Sequence, residues 1–264
     1  MVTLPTPSHA IVRPPSPAYA SCLRERPVVI DIDLAVAQHE AYVAALRDAG
    51  VTVVMLPALR NAPDGVFVED TAVVLDTVAL VTRPGAPTRR CEVDSTAAAL
   101  AGRRTVHRMD APATLDGGDV LRIGGTLVVG LSQRTNREGL ARLAEVAAMD
   151  GLHVRGVDVG AGLHLKSACT LGGAELLLLH EGAIDRGALR GLPVEIAEVP
   201  EAEGANVLAF ADRVIVSAAA VRTREVLERR GLRTVAVALS EIHAGDGALT
   251  CLSLRIGATH GPVA

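Results

Sequence analysis

Cys251 stands in "GDGALTCLSLRIG", residues 245–257, between a turn-forming "GDG" and the alternating apolar residues Leu252, Leu254 and Ile256. A lone cysteine at that place is either a small apolar cap on a buried strand or a nucleophile at a strand mouth. Free cysteine is among the most buried residue types, which favours the cap. A nucleophile needs help, because a thiol with an unperturbed pKa of about 8.5 is only a few per cent ionised near neutrality. His164, in "HLKS", is the candidate general acid/base. Asp116, in "TLDGGD" with Asp119, is the candidate to fix that histidine's tautomer and steady its charged form. Asp64, Glu69 and Asp70 fall within "PDGVFVED", flanked by Val66, Phe67 and Val68. Carboxylates brought together in a cleft need a cation or water. A guanidinium supplies charge and a planar set of donors, and a divalent metal is the competing partner.

These residues are far apart in sequence, so the elements that carry them decide whether they meet. "FVEDTAVVLDTVALVTRP" reads as two strands turning at Asp76-Thr77, followed by a short helix in "CEVDSTAAALAGR" and a strand in "RTVHRMD". The series recurs: a hairpin "GDVLRIGGTLVVGLS" turning at Gly124-Gly125, the helix "TNREGLARLAEVAAMDG" with Leu140, Leu143, Ala144 and Ala147 on one face, and the strand "LHVRGVDV". "SACTLGGAELLLLHEG", a weak helix near "IDRGALRG" and "PVEIAEV" make a further unit, and "ANVLAFADRVIVSA", "RTREVLERRG" and "RTVAVAL" another. The first unit is less regular. It holds the strand "SHAIVRP", the helix "LAVAQHEAYVAALRDAG", with Leu34, Val36, Ala41, Val43 and Ala45 at helical spacing, and the strand "VTVVMLP". "TCLSLRIG" then pairs back on that unit and closes a ring. Five hairpin–helix–strand units at a period of roughly 40–50 residues fit radial repetition. An ordinary α/β sheet is the plainer alternative. In a ring, the junctions "PDGVFVED", "TLDGGD", "GLHLKS", "EAEGAN" and "GDGALTC" converge at one end of the axis and gather the acids, the histidine and the cysteine into one cleft.

With 264 residues, 49% of them hydrophobic, the chain can bury a sizeable core. The net charge of −4, the absence of a Lys/Arg run and 2% aromatic content argue against nucleic-acid binding. No apolar run reaches membrane-spanning length, and the proline-rich N-terminus lacks a signal-peptide pattern, so a cytoplasmic location is expected. Cys22, Cys91, Cys169 and Cys251 are scattered, which suggests neither a disulfide framework nor a structural zinc site.

The chain resembles the dimethylarginine dimethylaminohydrolases, of the guanidino-group-modifying (pentein) superfamily. The resemblance is carried in order by "PDGVFVEDTAVV", "TRPGAPTRR", "TLDGGDVL", "LSQRTNREG", "HLKSACTL" and "TCLSLRI", from about residue 60 to residue 256, with weaker support from "QHEAYVAAL". It implies one α/β domain, a five-fold pseudosymmetric α/β propeller, with a lid segment over about residues 13–33. It implies hydrolysis of N-omega-methylated arginine to L-citrulline and an alkylamine through a covalent cysteine adduct, with neither cofactor nor metal. In this reading Cys251 is the nucleophile, His164 the general acid/base and Asp116 its acidic partner. Asp64 and Asp70, with Glu69 beside them, grip the guanidinium. Arg89 and Arg134 bind the α-carboxylate, and Leu23 is the lid leucine. The partner is a small cationic amino acid, and a homodimer is the assembly allowed for. Ala248 stands where many relatives have glycine, and Gly65 replaces a common serine. A deiminase specificity for unmethylated arginine, a non-catalytic binder of cationic amino acids and a metal-dependent hydrolase are the rival readings.

Overall fold

The structure, a computed structural model, describes residue 4 and residues 7–159 and 164–257. The first unit contributes β1 (Pro7–Val12), α1 (Ile32–Asp48) and β2 (Thr52–Met55). The second is β3 (Ala72–Val74), β4 (Val78–Val81), α2 (Val93–Leu100) and β5 (Thr105–Arg108). The third is β6 (Val120–Ile123), β7 (Thr126–Leu131), α3 (Arg137–Ala147) and β8 (His153–Asp158). The fourth is α4 (Leu165–Ala168), β9 (Cys169–Gly173), β10 (Leu176–His180) and β11 (Glu195–Val199). The last is β12 (Leu208–Ala209), β13 (Val214–Ser217), α5 (Val221–Arg229) and β14 (Thr234–Val237), after which α6 (Ser240–Ala244) and β15 (Leu254–Gly257) end the described chain.

Every sheet has three strands on one plan. An antiparallel hairpin leads through a crossover to a third strand parallel to the second, as in β6-β7-β8 and β12-β13-β14. The plan also holds for β15-β1-β2, where β15 pairs antiparallel with β1 at Ile11↔Leu254 and Ala10↔Arg255. The end of the described chain thus supplies the first strand of the first sheet, as the ring reading requires. A hairpin needs only a tight turn, whereas a parallel pair needs a longer crossover. The crossover is an α-helix in four of the units and carries only a 3-10 turn in the fourth.

Local chemistry accounts for the elements. The Asp31 side chain accepts the N–H of Leu34 at the start of α1, and Asn136 does the same for Gly139 at the start of α3. Gly151, at φ 69, supplies the left-handed residue that stops the turn after α3. Two readings of the sequence need correction. "VED" is a 3-10 turn over Val68–Thr71, not the start of a strand, and "IDRGALRG" forms a 3-10 turn over Arg186–Leu189. In α1 the buried face is Ala35, Gln38, His39, Tyr42, Val43 and Leu46, while Leu34 and Ala41 lie exposed. Polar Gln38 is recruited because it bonds to Ser240 and to the N–H of Glu241 on α6.

The core sits between neighbouring sheets. Leu80 of β4 packs in one cluster with Leu127 of β7 and Leu143 of α3, and Leu178 of β10 with Val216 of β13 and Leu227 of α5. Ile11 of β1 meets Ala79 of β4 in another. At about 1.5–3 kcal/mol per buried large apolar side chain, these shared clusters hold adjacent units at a fixed angle, and so fix where the junctions between them point.

Candidate active site

Cys251 lies in a 3-10 turn over Thr250–Leu252, directly before β15. Its thiol is half-buried and lines a cavity of about 30 Å³ together with Asp64, Asp70, Arg134, His164 and Leu23. The junctions named from the sequence therefore do converge, although Gly162 and Leu163 of "GLHLKS" lie outside the described residues. The backbone permits this because "DGGD" passes very close to its neighbours. A Cβ on Gly117 would sit 2.0 Å from the Glu69 carbonyl oxygen, and one on Gly118 would sit 2.8 Å from Nδ1 of His164. Only glycine fits both positions.

His164 Nε2 is 3.0 Å from Asp116 Oδ2, and the other Asp116 oxygen accepts the Gly85 N–H at 2.9 Å. Asp70 Oδ1 lies 3.9 Å from Nε2. Burial alone would drive the imidazole towards its neutral form. Asp70, the Asp116 hydrogen bond and Asp119 overcome it, and His164 is raised to about 9. Asp70, also buried, is nevertheless held down at about 2 by His164 and Arg89. Burial, then Glu69 and Asp70, push the Cys251 thiol up to about 12. At neutral pH the resting pair is thus an imidazolium and a thiol. Asp119 is set deeper. Its carboxylate accepts Ser132, Thr135 and the Leu165 N–H, and so anchors the segment that follows His164.

The two arginines differ. Arg89 Nη1 donates to Asp70 at 2.5 Å, its Nε and Nη2 to Glu92, and Nη2 also to the carbonyls of Phe67 and Asp64. Of five guanidinium N–H groups, at most one is left for a ligand. Arg89 lines the cavity beside Arg134, and most of its donors hold Asp70 and the Asp64 loop. Glu92, which sequence reading missed, completes this buried pair. Its only signal was an acid three residues after Arg89 in a helical stretch. Arg134 lines the cavity, and among the described residues its guanidinium has no protein acceptor. Asp64 accepts the Leu23 N–H at Oδ1 (3.0 Å), and no described group donates to Oδ2. Burial raises its carboxyl, offset in part by Arg89. Asp64 and Arg134 are therefore an unpaired acceptor and an unpaired donor in one cleft.

Glu69 does not face this cavity. It points to the other side of the 3-10 turn, where Lys166 donates to it at 2.7 Å and Thr250 at 2.7 Å. Leu23 lines the cleft, and much of the 13–33 segment is fixed. Arg13 is fully buried and donates to the Gly65 carbonyl at 2.7 Å. Tyr19, equally buried, donates to the Glu241 carbonyl at 3.0 Å. The longest exposed run in this segment is residues 25–29, with Leu23 exposed just before it. Asp246, at φ 57 the one non-glycine residue of positive φ among those described, accepts the Glu25 N–H at 2.5 Å and ties this stretch down. A metal is chemically conceivable at Asp70, Asp116 and His164, whose ligand atoms lie within 4.8 Å of one another. Two of those three groups already serve Arg89, Gly118 and Gly85. No helix among the described residues is long and apolar enough to cross a membrane.

Comparison with known proteins agrees over nearly the whole chain. A family model described as "N,N dimethylarginine dimethylhydrolase, eukaryotic" matches residues 19–256. The N(G),N(G)-dimethylarginine dimethylaminohydrolase of Streptomyces coelicolor is 40% identical over 256 residues, covering 94% of this chain and 96% of that protein. Among solved structures, a cysteine-to-serine mutant of DDAH from Pseudomonas aeruginosa, complexed with citrulline, superposes with a TM-score of 0.90 at 32% identity, over 95% of this chain and all of that one. The N-terminal domain of ArgZ, an arginine dihydrolase from cyanobacteria, superposes at 0.80 with 20% identity over 94% of this chain and 98% of that one, and shows the shared five-fold propeller.

Proposed function

The chain belongs to the dimethylarginine dimethylaminohydrolase family, and from that premise we propose how its own residues hydrolyse N-omega-methylated arginine to L-citrulline and dimethylamine or methylamine. The observation that carries the reading is the single cleft holding Cys251, His164 with Asp116, and the unpaired groups of Asp64 and Arg134.

The substrate's α-carboxylate binds Arg134, and its guanidinium lies against Asp64 and Asp70. A second positive charge beside Cys251 offsets the two carboxylates that hold the thiol protonated, so the thiol gives its proton to solvent once substrate is bound. The thiolate attacks the guanidinium carbon. His164, already an imidazolium, gives its proton to the departing amine and becomes neutral, leaving a cationic thiouronium on Cys251. The same imidazole then takes a proton from water as it attacks, and collapse of that adduct, its hydroxyl proton passing to the departing sulfur, releases citrulline and restores the thiol. Asp116 keeps the ring oriented through both transfers.

The closed cavity has room for a water, not an amino acid. Residues 23–29 therefore swing out to admit substrate, and Leu23 closes over it. A nucleophilic thiol of this kind works in a reducing compartment, which supports a cytoplasmic location. The test is citrulline release from asymmetric dimethylarginine, monomethylarginine and arginine, by wild type and Cys251→Ser, with and without chelator. Chelator-insensitive release from the methylated substrates that is lost in the variant supports the reading. Release from arginine alone moves the chain to deiminase chemistry, and loss with chelator moves it to a metal hydrolase.

A further inference from the structure

The five junctions do more than carry the reacting groups. Each also sends one polar group to a buried ring on the axis, behind the cleft. Glu69 Oε2 accepts the Thr250 hydroxyl at 2.7 Å, and Oε1 accepts Lys166 Nζ at 2.7 Å and Arg255 at 3.3 Å. Lys166 Nζ also donates to the Gly117 carbonyl at 3.1 Å. Asn206 closes the ring. Its Nδ2 donates to the Lys166 carbonyl and to Thr250 Oγ1, both at 2.9 Å, while Oδ1 accepts the Thr250 N–H at 3.0 Å. One backbone acceptor and one backbone donor fix the amide's orientation. Asn206, Thr250 and Glu69 are each at most 3% exposed.

The sequence offsets matter. Glu69 precedes Asp70, Gly117 follows Asp116, Lys166 stands two residues after His164, and Thr250 precedes Cys251. "EAEGAN" alone brings no reacting group, and its Asn206 is the member that grips both the nucleophile's turn and the histidine's segment. We propose that Asn206 and Thr250 are positioning residues for the hydrolytic reaction, setting the nucleophile's turn and the general acid/base in register through this axial ring. The proposal rests on the hydrolytic reading above. A misplacement of about 1 Å at a reacting group can cost a hundredfold in rate, so a ring that touches no substrate can still govern turnover.

The experiment compares Thr250→Ser, which keeps the hydroxyl, with Thr250→Val, which keeps the shape and loses it, and with Asn206→Asp, which replaces two donors by acceptors. Kinetics on asymmetric dimethylarginine are read beside the melting temperature and the pH dependence of iodoacetamide labelling at the Cys251 peptide. The expected result is a kcat lowered at least tenfold in Thr250→Val and Asn206→Asp, with KM within about threefold, and a kcat within twofold of wild type in Thr250→Ser. Labelling should shift to higher pH in Thr250→Val, because Glu69 loses a donor that disperses its charge near the thiol. Asn206→Asp carries the same test should Thr250→Val not fold. Equal impairment of Thr250→Ser and Thr250→Val, a loss seen only in KM, or unchanged kcat with an unmoved labelling profile overturns the proposal. If wild type itself releases no citrulline, the hydrolytic reading fails, and the labelling profile still decides whether the ring sets the state of Cys251.

Discussion

The two ends of the propeller axis are built from the same five units and differ in what they hold. Along the inner strands, beyond the Glu69–Lys166 ring, lies a cavity of about 210 Å³ walled by residues such as Val74, Leu121, Leu127, Leu171 and Phe210. At the junction end lies the much smaller cleft of Cys251, His164, Asp64 and Arg134. The larger cavity is lined by neither cysteine nor histidine, and its Arg122 is paired bidentately with Asp76. Chemistry thus follows the junctions, where polar loops converge, and not the available volume. A strand interior must satisfy its ladder and pack its face, whereas a junction is free to carry an acid, a histidine or a cysteine.

The sharpest way to break that comparison is at His164. His164→Gln should lower kcat by about 10²–10⁴, the range for a general acid/base, with KM little changed in the same citrulline assay. Full activity in that variant would remove the chemistry from the junction end.

The arginines sharpen it further. Arg89→Ala removes the cation buried between Asp70 and Glu92 and should cost about 3–5 kcal/mol in denaturant unfolding. Arg134→Ala should leave stability within about 0.5 kcal/mol and raise KM, with the largest change expected in kcat/KM. Equal stability losses would mean that both are structural. This difference was not legible in the sequence. "TRR" and "QRTN" name two arginines of equal standing, and only the arrival of Glu92, three residues on, and of Asp70 from another unit separates them.

Much else was legible. The strand order survives because the hairpins contiguous in sequence carry their own turn signals and the helices their own stops, so local patterning suffices. Cys251, His164, Asp116, Asp64 and Asp70 stand out in the sequence because they lie at the ends of that pattern, whereas Arg89, Arg134 and Leu23 are named only from the family resemblance. What escaped were properties set by packing across units: the inward turn of Glu69, the Gln38–His39 face of α1 and the role of Asn206. The 3-10 turn at "VED" was missed for a similar reason. Arg89 gathers the Phe67 carbonyl and the Asp70 carboxylate on either side of Val68, and that bond comes from outside the segment.

The resting protonation states give a pH prediction. His164 is raised from 6.5 to about 9, so the stability from its charged form is fully present below about pH 6.5 and is lost as pH rises through about 9. The melting temperature of wild type should fall from pH 7 to pH 10, and that fall should be shallower in His164→Gln. In the free enzyme kcat/KM should decline over the same alkaline range as the proton donor is lost. A profile that is flat to pH 10 in both proteins would contradict the imidazolium.

The smallest effect is expected at the other end of the axis. Leu121→Ala, on the wall of the larger cavity, should cost about 2 kcal/mol or somewhat more in stability and leave kcat and KM within twofold. A tenfold loss of activity there would mean that the apolar end takes part in the reaction.

The central claim is that the convergent junctions make Cys251 the covalent nucleophile. Its most direct test is a rapid acid quench of wild type turning over asymmetric dimethylarginine, followed by proteolysis and mass analysis of the four cysteine peptides. The account predicts a substrate-derived amidine mass on the Cys251 peptide alone, absent from those of Cys22, Cys91 and Cys169, and gone once substrate is exhausted. Citrulline formed with Cys251 unmodified at every quench time, and formed undiminished by Cys251→Ser, would contradict it.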